Sequence, residues 1–393
     1  MIAPMLTWLG GCLESYPDAD RGNPEVDNRR DVAGPLVVQV GNILLEEDQY
    51  YLGRPWSLVV DTADGSFLIS DAFEGQIIRF GRDGSVVQRY GGPGEGPAEF
   101  QRIGPTFILN DTVVVGVDSR TRHFKLFSRG NGGHLETVRY RGSIGGDVTV
   151  VGGMVVAPAI DFDDDFTSVM VWDPGNGSFQ HLVDLPAPYM RSLRGRGAFA
   201  AALAAGSVLA WPDTMLVGMA ATNEVYLATW GGEVLDTIRP PSVRRRGVPD
   251  DAQGKFDTDQ SLSFVDRVEM LSALLSMYRM LDGETVLVHY DQTAKGEPPT
   301  VEYLADIYVT VISSDRQSAC VDGFVPYGNE IRARLTMSRD TLFLLDRTIN
   351  KSEDGMNTWI RLYEIDTSRC VWLPVGESVK ASFPRTSDPS RRQ

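Results

Sequence analysis

Residues 55–100, PWSLVVDTADGSFLISDAFEGQIIRFGRDGSVVQRYGGPGEGPAEF, read as four short strands with a turn after each and a Gly/Pro-rich crossing at the end. The expected strands are residues 57–61, 66–70, 76–80 and 85–90. Each is short, apolar and rich in β-branched side chains, which suits a pleated, half-buried surface. Asp64-Gly65 and Asp83-Gly84 supply the positive φ that tight hairpin turns require. The stretch is one antiparallel four-stranded meander.

Weaker copies of this pattern extend outward from it. Upstream, residues 35–40 (PLVVQV) form a strand with no hairpin partner of its own. Downstream, four-strand patterns recur at about residues 105–140, 145–185, 199–240, 272–326 and 331–374. Asn131-Gly132, Gly152-Gly153, Asn176-Gly177, Gly231-Gly232 and Asp282-Gly283 stand at their turns. A polar insertion at about residues 241–262 interrupts the series; it carries Arg244-Arg245-Arg246, expected on a solvated loop, and leads to a short helix expected at 262–270. Six meanders spaced by about 35 to 50 residues mean a radial array. A four-stranded twisted sheet cannot bury both faces alone, but six around an axis pack face to face and leave only short edges. The expected fold is therefore all-β, a six-bladed β-propeller of four-stranded antiparallel blades spanning residues 35–376. The unpaired strand at 35–40 closes the ring by pairing with the last blade, and residues 377–393 form a polar tail.

Residues 59–80 resemble the NHL repeat: an apolar strand, Asp-Gly, a second strand ending in Asp, then Arg-x-Phe before another Asp-Gly. The crossing at 90–100, ending GEGPAEF, is similar to the Gly-Pro-Gly-Glu-Phe link between NHL blades. The resemblance implies a bacterial propeller of the NHL/TolB-like kind, often exported. Its specific motifs cover about a quarter of the chain, and blades three to six rest on periodicity.

The 393 residues carry a net charge of −16, which argues against a nucleic-acid partner, whose phosphates need a basic face. Residues 1–11 are apolar and uncharged, and Leu9-Gly10-Gly11-Cys12 resembles the bacterial lipobox, in which the Cys becomes the lipidated first residue. Residues 1–12 thus read as a short targeting segment, and 13–34 as a polar linker that would serve as a tether. The basic region and longer apolar core of a full signal peptide are missing from it. Cys320 and Cys370 fall at similar places in two successive repeats, on what would be outer strands of neighbouring blades. Such strands splay apart, whereas a disulfide needs Cα atoms within roughly 7 Å. Two buried free thiols are expected.

With the strands of each blade lettered a to d from the axis outward, the b–c and d–a loops share one face. The b strands end in Asp71, Asp118, Asp161, Asp291 and Asp346, with Asn223 in the fourth blade's loop. Two readings stand side by side. An Asp at a strand end caps its own turn through an Asx hydrogen bond. Alternatively these groups ring the pore mouth as a ligand surface, with Arg120, Arg122 and Arg347 among them to hold an anionic group. Asp161, Asp163 and Asp165 are alternate carboxylates of the type that binds Ca2+. Phe166 and Trp172, however, occupy the positions where an EF-hand loop needs Gly and Glu, so a solvated acidic loop is the simpler reading. The four histidines, His123, His134, His181 and His289, do not form a zinc set.

The expected function is that of an exported, membrane-tethered, non-catalytic monomer that binds a protein, peptide or glycan on its b–c face, with no cofactor. The alternative is a metal-dependent hydrolase or lyase using carboxylates at the pore mouth. Amidating-lyase-like propellers use converging histidines. Gluconolactonase-like propellers use a carboxylate/amide metal site, for which Asp71, Asp161, Asn223 and Asp346 are the formal candidates.

Overall fold

The structure, a computed structural model, describes residues 34–46, 52–160, 169–182, 206–219, 223–242, 244–245, 272–295, 302–327, 334–350 and 355–376. These residues form strands in six sheets. The first strand, β1 (Leu36–Leu44), belongs to the last sheet. Blade one is β2 (Pro55–Val60), β3 (Phe67–Asp71), β4 (Gln76–Phe80) and β5 (Val86–Gly91). Blade two is β6 (Ile103–Asn110), β7 (Val113–Asp118), β8 (His123–Ser128) and β9 (His134–Arg139). In blade three the inner strand is split into β10 (Ser143–Ile144) and β11 (Thr149–Val151), both on β12 (Met154–Ile160), followed by β13 (Val169–Asp173) and β14 (Ser178–Leu182). Blade four is β15 (Gly206–Ala210), β16 (Thr214–Met219), β17 (Val225–Thr229) and β18 (Val234–Ile238). Blade five is β19 (Ser272–Arg279), β20 (Thr285–Lys295), β21 (Glu302–Ile312) and β22 (Ser318–Phe324). Blade six is β23 (Arg334–Ser338), β24 (Thr341–Asn350) and β25 (Gly355–Asp366), completed by β1.

Each inner strand neighbours the inner strands of the adjacent blades, β2 beside both β6 and β23, so the sheets form a closed ring. Apolar layers fill the gaps between blades. Phe67, Ile69, Ile78 and Phe80 of blade one meet Leu345 and Ile360 of blade six. Between blades two and three the rings of Phe124 and Trp172 stack at 4.9 Å, and Phe124 stacks on Tyr140 at 4.8 Å. Such pairs contribute about 0.5–1.5 kcal/mol beyond their buried area. Hydroxyls link blades one and two: Ser57 Oγ on β2 accepts from Thr106 N at 3.1 Å, and Ser70 Oγ on β3 donates to Gly104 O at 2.8 Å. The Gly-rich crossing is fastened from below by Lys125 Nζ, which donates to Gly96 O at 3.0 Å and to Glu99 O.

The closure runs as the sequence leads one to expect. β1 lies antiparallel on β25 from Leu36↔Asp366 to Leu44↔Trp359, with an irregularity between Gln39 and Gly41. Alternation then places Val37 in the core while Val38 faces outward.

The C-terminal pairing departs from expectation, and so does the cysteine pair. The stretch CVWLP, read above as an outer strand of blade six, is not part of that blade. Its Leu373–Pro374, here β26, pairs with β22 on the outer edge of blade five, with Ser318↔Pro374 and Ala319↔Leu373. β1 already occupies the outer position of blade six, so the chain leaving β25 is displaced onto its neighbour. This brings Cys370 to Cys320, Cα–Cα 5.5 Å, and the two form a disulfide rather than two free thiols. The splaying of outer strands does not apply, because Cys370 stands on the returning chain. The arginine run also differs from a solvated loop: Arg245 is 1% exposed between blades four and five, and its Nη2 donates to Glu224 O at 3.1 Å. Burial pulls down the Arg245 pKa, opposed by the neighbouring Glu224. Arg244 packs over the Tyr308 ring at 5.4 Å and faces Asp291 at 3.7 Å. Arg246 and the helix expected at 262–270 lie outside the described residues.

Candidate functional site at the channel mouth

The two faces of the ring differ. On the a–b and c–d face, consecutive strands are joined by two residues (Asn110 to Val113) up to six (Val60 to Phe67). On the b–c and d–a face, 23 residues separate Leu182 from Gly206 and 33 separate Ile238 from Ser272. Two hairpins also project from this face. β20 and β21 remain paired from Asp291↔Asp306 out to Lys295↔Glu302, and β24 and β25 from Asp346↔Trp359 to Asn350↔Gly355. Four further residues at about 3.3 Å each carry either hairpin about 13 Å beyond that register.

The b-strand aspartates occupy equivalent positions in this frame but have different partners. Asp71 is fully buried and accepts from Gly53 N at 2.6 Å, Arg54 N at 2.9 Å and Phe73 N at 2.8 Å. It therefore caps its own turn and also holds the chain arriving from β1. Asp118 repeats the arrangement on Gln101 N at 3.1 Å and on Arg120 N and Thr121 N at 3.2 Å. Asp346 pairs with the Arg361 guanidinium. Arg347 Nη1 donates to Gly53 O at 3.3 Å, so Asp71 and Arg347 meet on two sides of one residue. A side chain at Gly53 would collide with Phe73, its Cβ only 2.6 Å away. Arg120 and Arg122 are exposed, Arg122 with φ 59°, and Asn223 is half-buried just before β17. Asp161, Asp163, Asp165 and Cys12 lie outside the described residues. Among the described residues no three His, Cys, Asp or Glu side chains converge as a metal site. His289 is buried beside Asp322, Nε2 to Oδ1 3.4 Å, and stacks on Tyr308 at 6.0 Å.

Inside the mouth, residues of all six blades line a cavity of about 250 Å3, among them Trp56, Pro105, Asp147, Gly206 and Arg334 on or beside inner strands and Tyr290 on β20. Trp56, Gly206 and Arg334 stand at or near the first residues of their strands, so the cavity opens on the face with the long connections. Asp147, in the break between β10 and β11, accepts from Ser276 Oγ of blade five. The contact spans blade four because that blade presents only Gly206 here; Gly146 packs so close that a Cβ on it would lie 2.0 Å from Gly206 O. Burial pushes the Asp147 carboxyl above the usual range, against the hydrogen bond from Ser276 and the pull of Arg334. Burial, with Asp147 nearby, raises the Tyr278 phenol well above its usual value. Tyr278 Oη donates to Leu335 O at 3.0 Å. The Arg334 guanidinium lies 5.1 Å over the Trp56 ring, and its Nε donates to Pro55 O at 3.3 Å.

None of these channel groups stood out in the sequence. Asp147 and Ser276 are 129 residues apart, and no local pattern joins them. The available signal was positional and covers Trp56 and Arg334: an aromatic and a charged residue at the starts of inner strands, where a purely structural inner strand would be small and apolar.

Solved structures of low identity share this architecture. A DUF4221-family protein from Bacteroides vulgatus superposes with TM-score 0.59 at 9% identity, covering 85% of this chain and 99% of that one. The Putative exported protein from Bacteroides fragilis gives TM-score 0.53 at 10% identity, covering 84% and 96%. No family model and no curated protein sequence matches the chain. At this identity the likeness shows the fold: a six-bladed β-propeller shared with these Bacteroides proteins.

Proposed function

We propose that this chain is an exported, membrane-tethered, non-catalytic propeller of the NHL/TolB-like kind, which binds a protein, peptide or glycan on its b–c and d–a face. The observation that carries the reading is the asymmetry of the two faces, with short turns on one and two projecting hairpins on the face where the channel opens. Binding residues concentrate on connections presented by a rigid scaffold. The carboxylates that a metal-dependent reaction would need support binding rather than catalysis. Asp71 and Asp118 spend their oxygens on backbone N–H groups, and Asp346 is paired with Arg361. Export is supported by the Cys320–Cys370 disulfide, since such bonds persist in oxidising compartments, and by the name of the Bacteroides fragilis protein. Tethering rests on the lipobox-like Leu9-Gly10-Gly11-Cys12.

The test replaces residues 293–304 by Asn-Gly, closing the β20–β21 hairpin at Gln292↔Ala305 with a two-residue turn. Wild type, this variant and Asp83→Asn on the opposite face are compared for melting temperature and for binding to glycan and peptide arrays. The trimmed hairpin should weaken any saturable ligand by at least about ten-fold, or 1.4 kcal/mol, with an unchanged melting temperature. Asp83→Asn should bind normally. Equal binding by all three, or turnover of the ligand, would overturn the reading.

A further inference from the structure

The channel mouth combines four features. Its lining includes two aromatic side chains, Trp56 and Tyr290, and neither the Trp56 indole N–H nor the Tyr290 hydroxyl has a hydrogen-bond partner among the described residues. It carries one acid, Asp147, and one base, Arg334. Leu58, Pro105, Ile144 and Ala273 supply apolar wall between them. At about 250 Å3 it lies just below the range of roughly 300–1,000 Å3 usual for drug-sized ligands, so it suits a single ring or end group.

We propose that this cavity binds the terminal ring of a neutral, polyhydroxylated ligand, a sugar residue at the end of a glycan. The proposal rests on the reading of this face as the binding face and names the ligand class for its centre. A net anion would be drawn to Arg334 and repelled by Asp147, and a net cation would meet the reverse. A hydroxyl donates and accepts, so it can use Asp147 as acceptor, Arg334 and the Trp56 N–H as donors, and the Tyr290 hydroxyl as either. The C–H faces of a sugar ring match the apolar wall and the aromatic side chains, whose bodies are apolar and whose tips are polar. The scaffold is prepared for such a ligand, because Ser276 already holds Asp147 and the Trp56 ring carries the Arg334 guanidinium. Preorganisation of this kind lowers the cost of binding.

The experiment uses the full chain and single probes: glucose, galactose, mannose and N-acetylglucosamine, with acetate and methylammonium as charged probes. Saturation-transfer NMR and tryptophan fluorescence report binding. At least one sugar should bind saturably, and neither charged probe should compete with it. Tyr290→Phe removes only the hydroxyl and should weaken that sugar roughly three- to ten-fold at an unchanged melting temperature. Ala273→Leu fills the cavity and should abolish binding; should it fail to fold, Tyr290→Phe decides alone. No saturable sugar, competition by a charged probe, or full affinity in Tyr290→Phe overturns the proposal. If the trimmed hairpin abolishes an array ligand that Tyr290→Phe still binds fully, the face reading stands and the channel assignment falls. If Tyr290→Phe loses the sugar while the trimmed hairpin binds every ligand normally, the channel stands and the hairpin reading falls.

Discussion

Blades one and two are built from one unbroken run of chain, β2 to β9, whereas blades five and six are completed by strands from the two ends of the described chain. β1 supplies the outer strand of blade six, β26 adds a fifth strand to blade five, and the Cys320–Cys370 bond fastens the latter addition. The same b-strand aspartate serves both regions differently. Asp71 and Asp118 close four-residue turns and hold the incoming chain through backbone N–H groups. Asp291 and Asp346 lie mid-strand beneath projecting hairpins and face Arg244 and Arg361. Position in the blade fixes the place of the carboxylate; above the short turns backbone N–H groups fill it, with Lys125 also 4.0 Å from Asp118, and beneath the long hairpins a guanidinium faces it. The ring is thus reinforced in the two blades that carry the projecting hairpins, the disulfide standing at the other end of blade five beside the β21–β22 turn.

The largest effect should come from removing the seam strand. Deleting residues 1–45 uncovers the edge of β25 and the core around Val37, Tyr363 and Ile365. It should cost more than about 4 kcal/mol in urea unfolding, or leave no cooperative transition. Cys370→Ser comes next. The bridge spans 50 residues of sequence, and chain-entropy reasoning puts its removal at about 4 kcal/mol, an upper figure for a native state that keeps β26 in place. A loss as large from a substitution confined to blade one would break the contrast.

The aspartates sharpen it. Asp71→Asn places an amide NH2 where a carboxylate now receives three N–H donors, so a buried donor faces a donor; about 2 kcal/mol is expected. Asp346→Asn keeps an oxygen for Arg361 and should cost about 1 kcal/mol in the same urea titration. The reverse order would show that the two regions do not use this position as described.

The smallest effect concerns Asp147. Its carboxyl titrates above the unfolded value of about 3.9, so the folded state favours the protonated form. That contribution is complete below pH 4 and is lost as pH rises through the folded value. Asp147→Asn should therefore flatten the stability profile above pH 4 and be neutral or slightly stabilising at pH 7. A steeper profile in the variant would contradict the burial argument.

Legibility in the sequence followed the same division. Asp64-Gly65 and Asp83-Gly84 announce blade one because hairpin turns are decided by a few adjacent residues. The orphan strand at 35–40 announced the closure, since a strand without a neighbour must find one elsewhere. The strand at Leu373–Pro374 was expected but its partner was illegible, because that partner depends on which outer edge β1 leaves open. The cysteine pairing followed from that same displacement. Strands ending at Asp291 and Asp346 were expected, but the polar continuations QTAK and RTIN still pair because each has an antiparallel partner across the hairpin. For Asp71 the residue type was readable and the Asx turn expected; its second task depends on Gly53 and Arg54, chain that arrives from the seam. The channel mouth gathers residues from all six blades, and only the closed ring brings them together.

Hydrogen exchange by mass spectrometry, on the oxidised chain and after reduction of Cys320–Cys370, tests the central claim most directly. Reduction should speed exchange in β21, β22 and the segment around β26, while β3, β4, β7 and β8 keep their protection, because only the seam region depends on chain from afar. Equal loss of protection in blades one and two, or no change at β22, would contradict it.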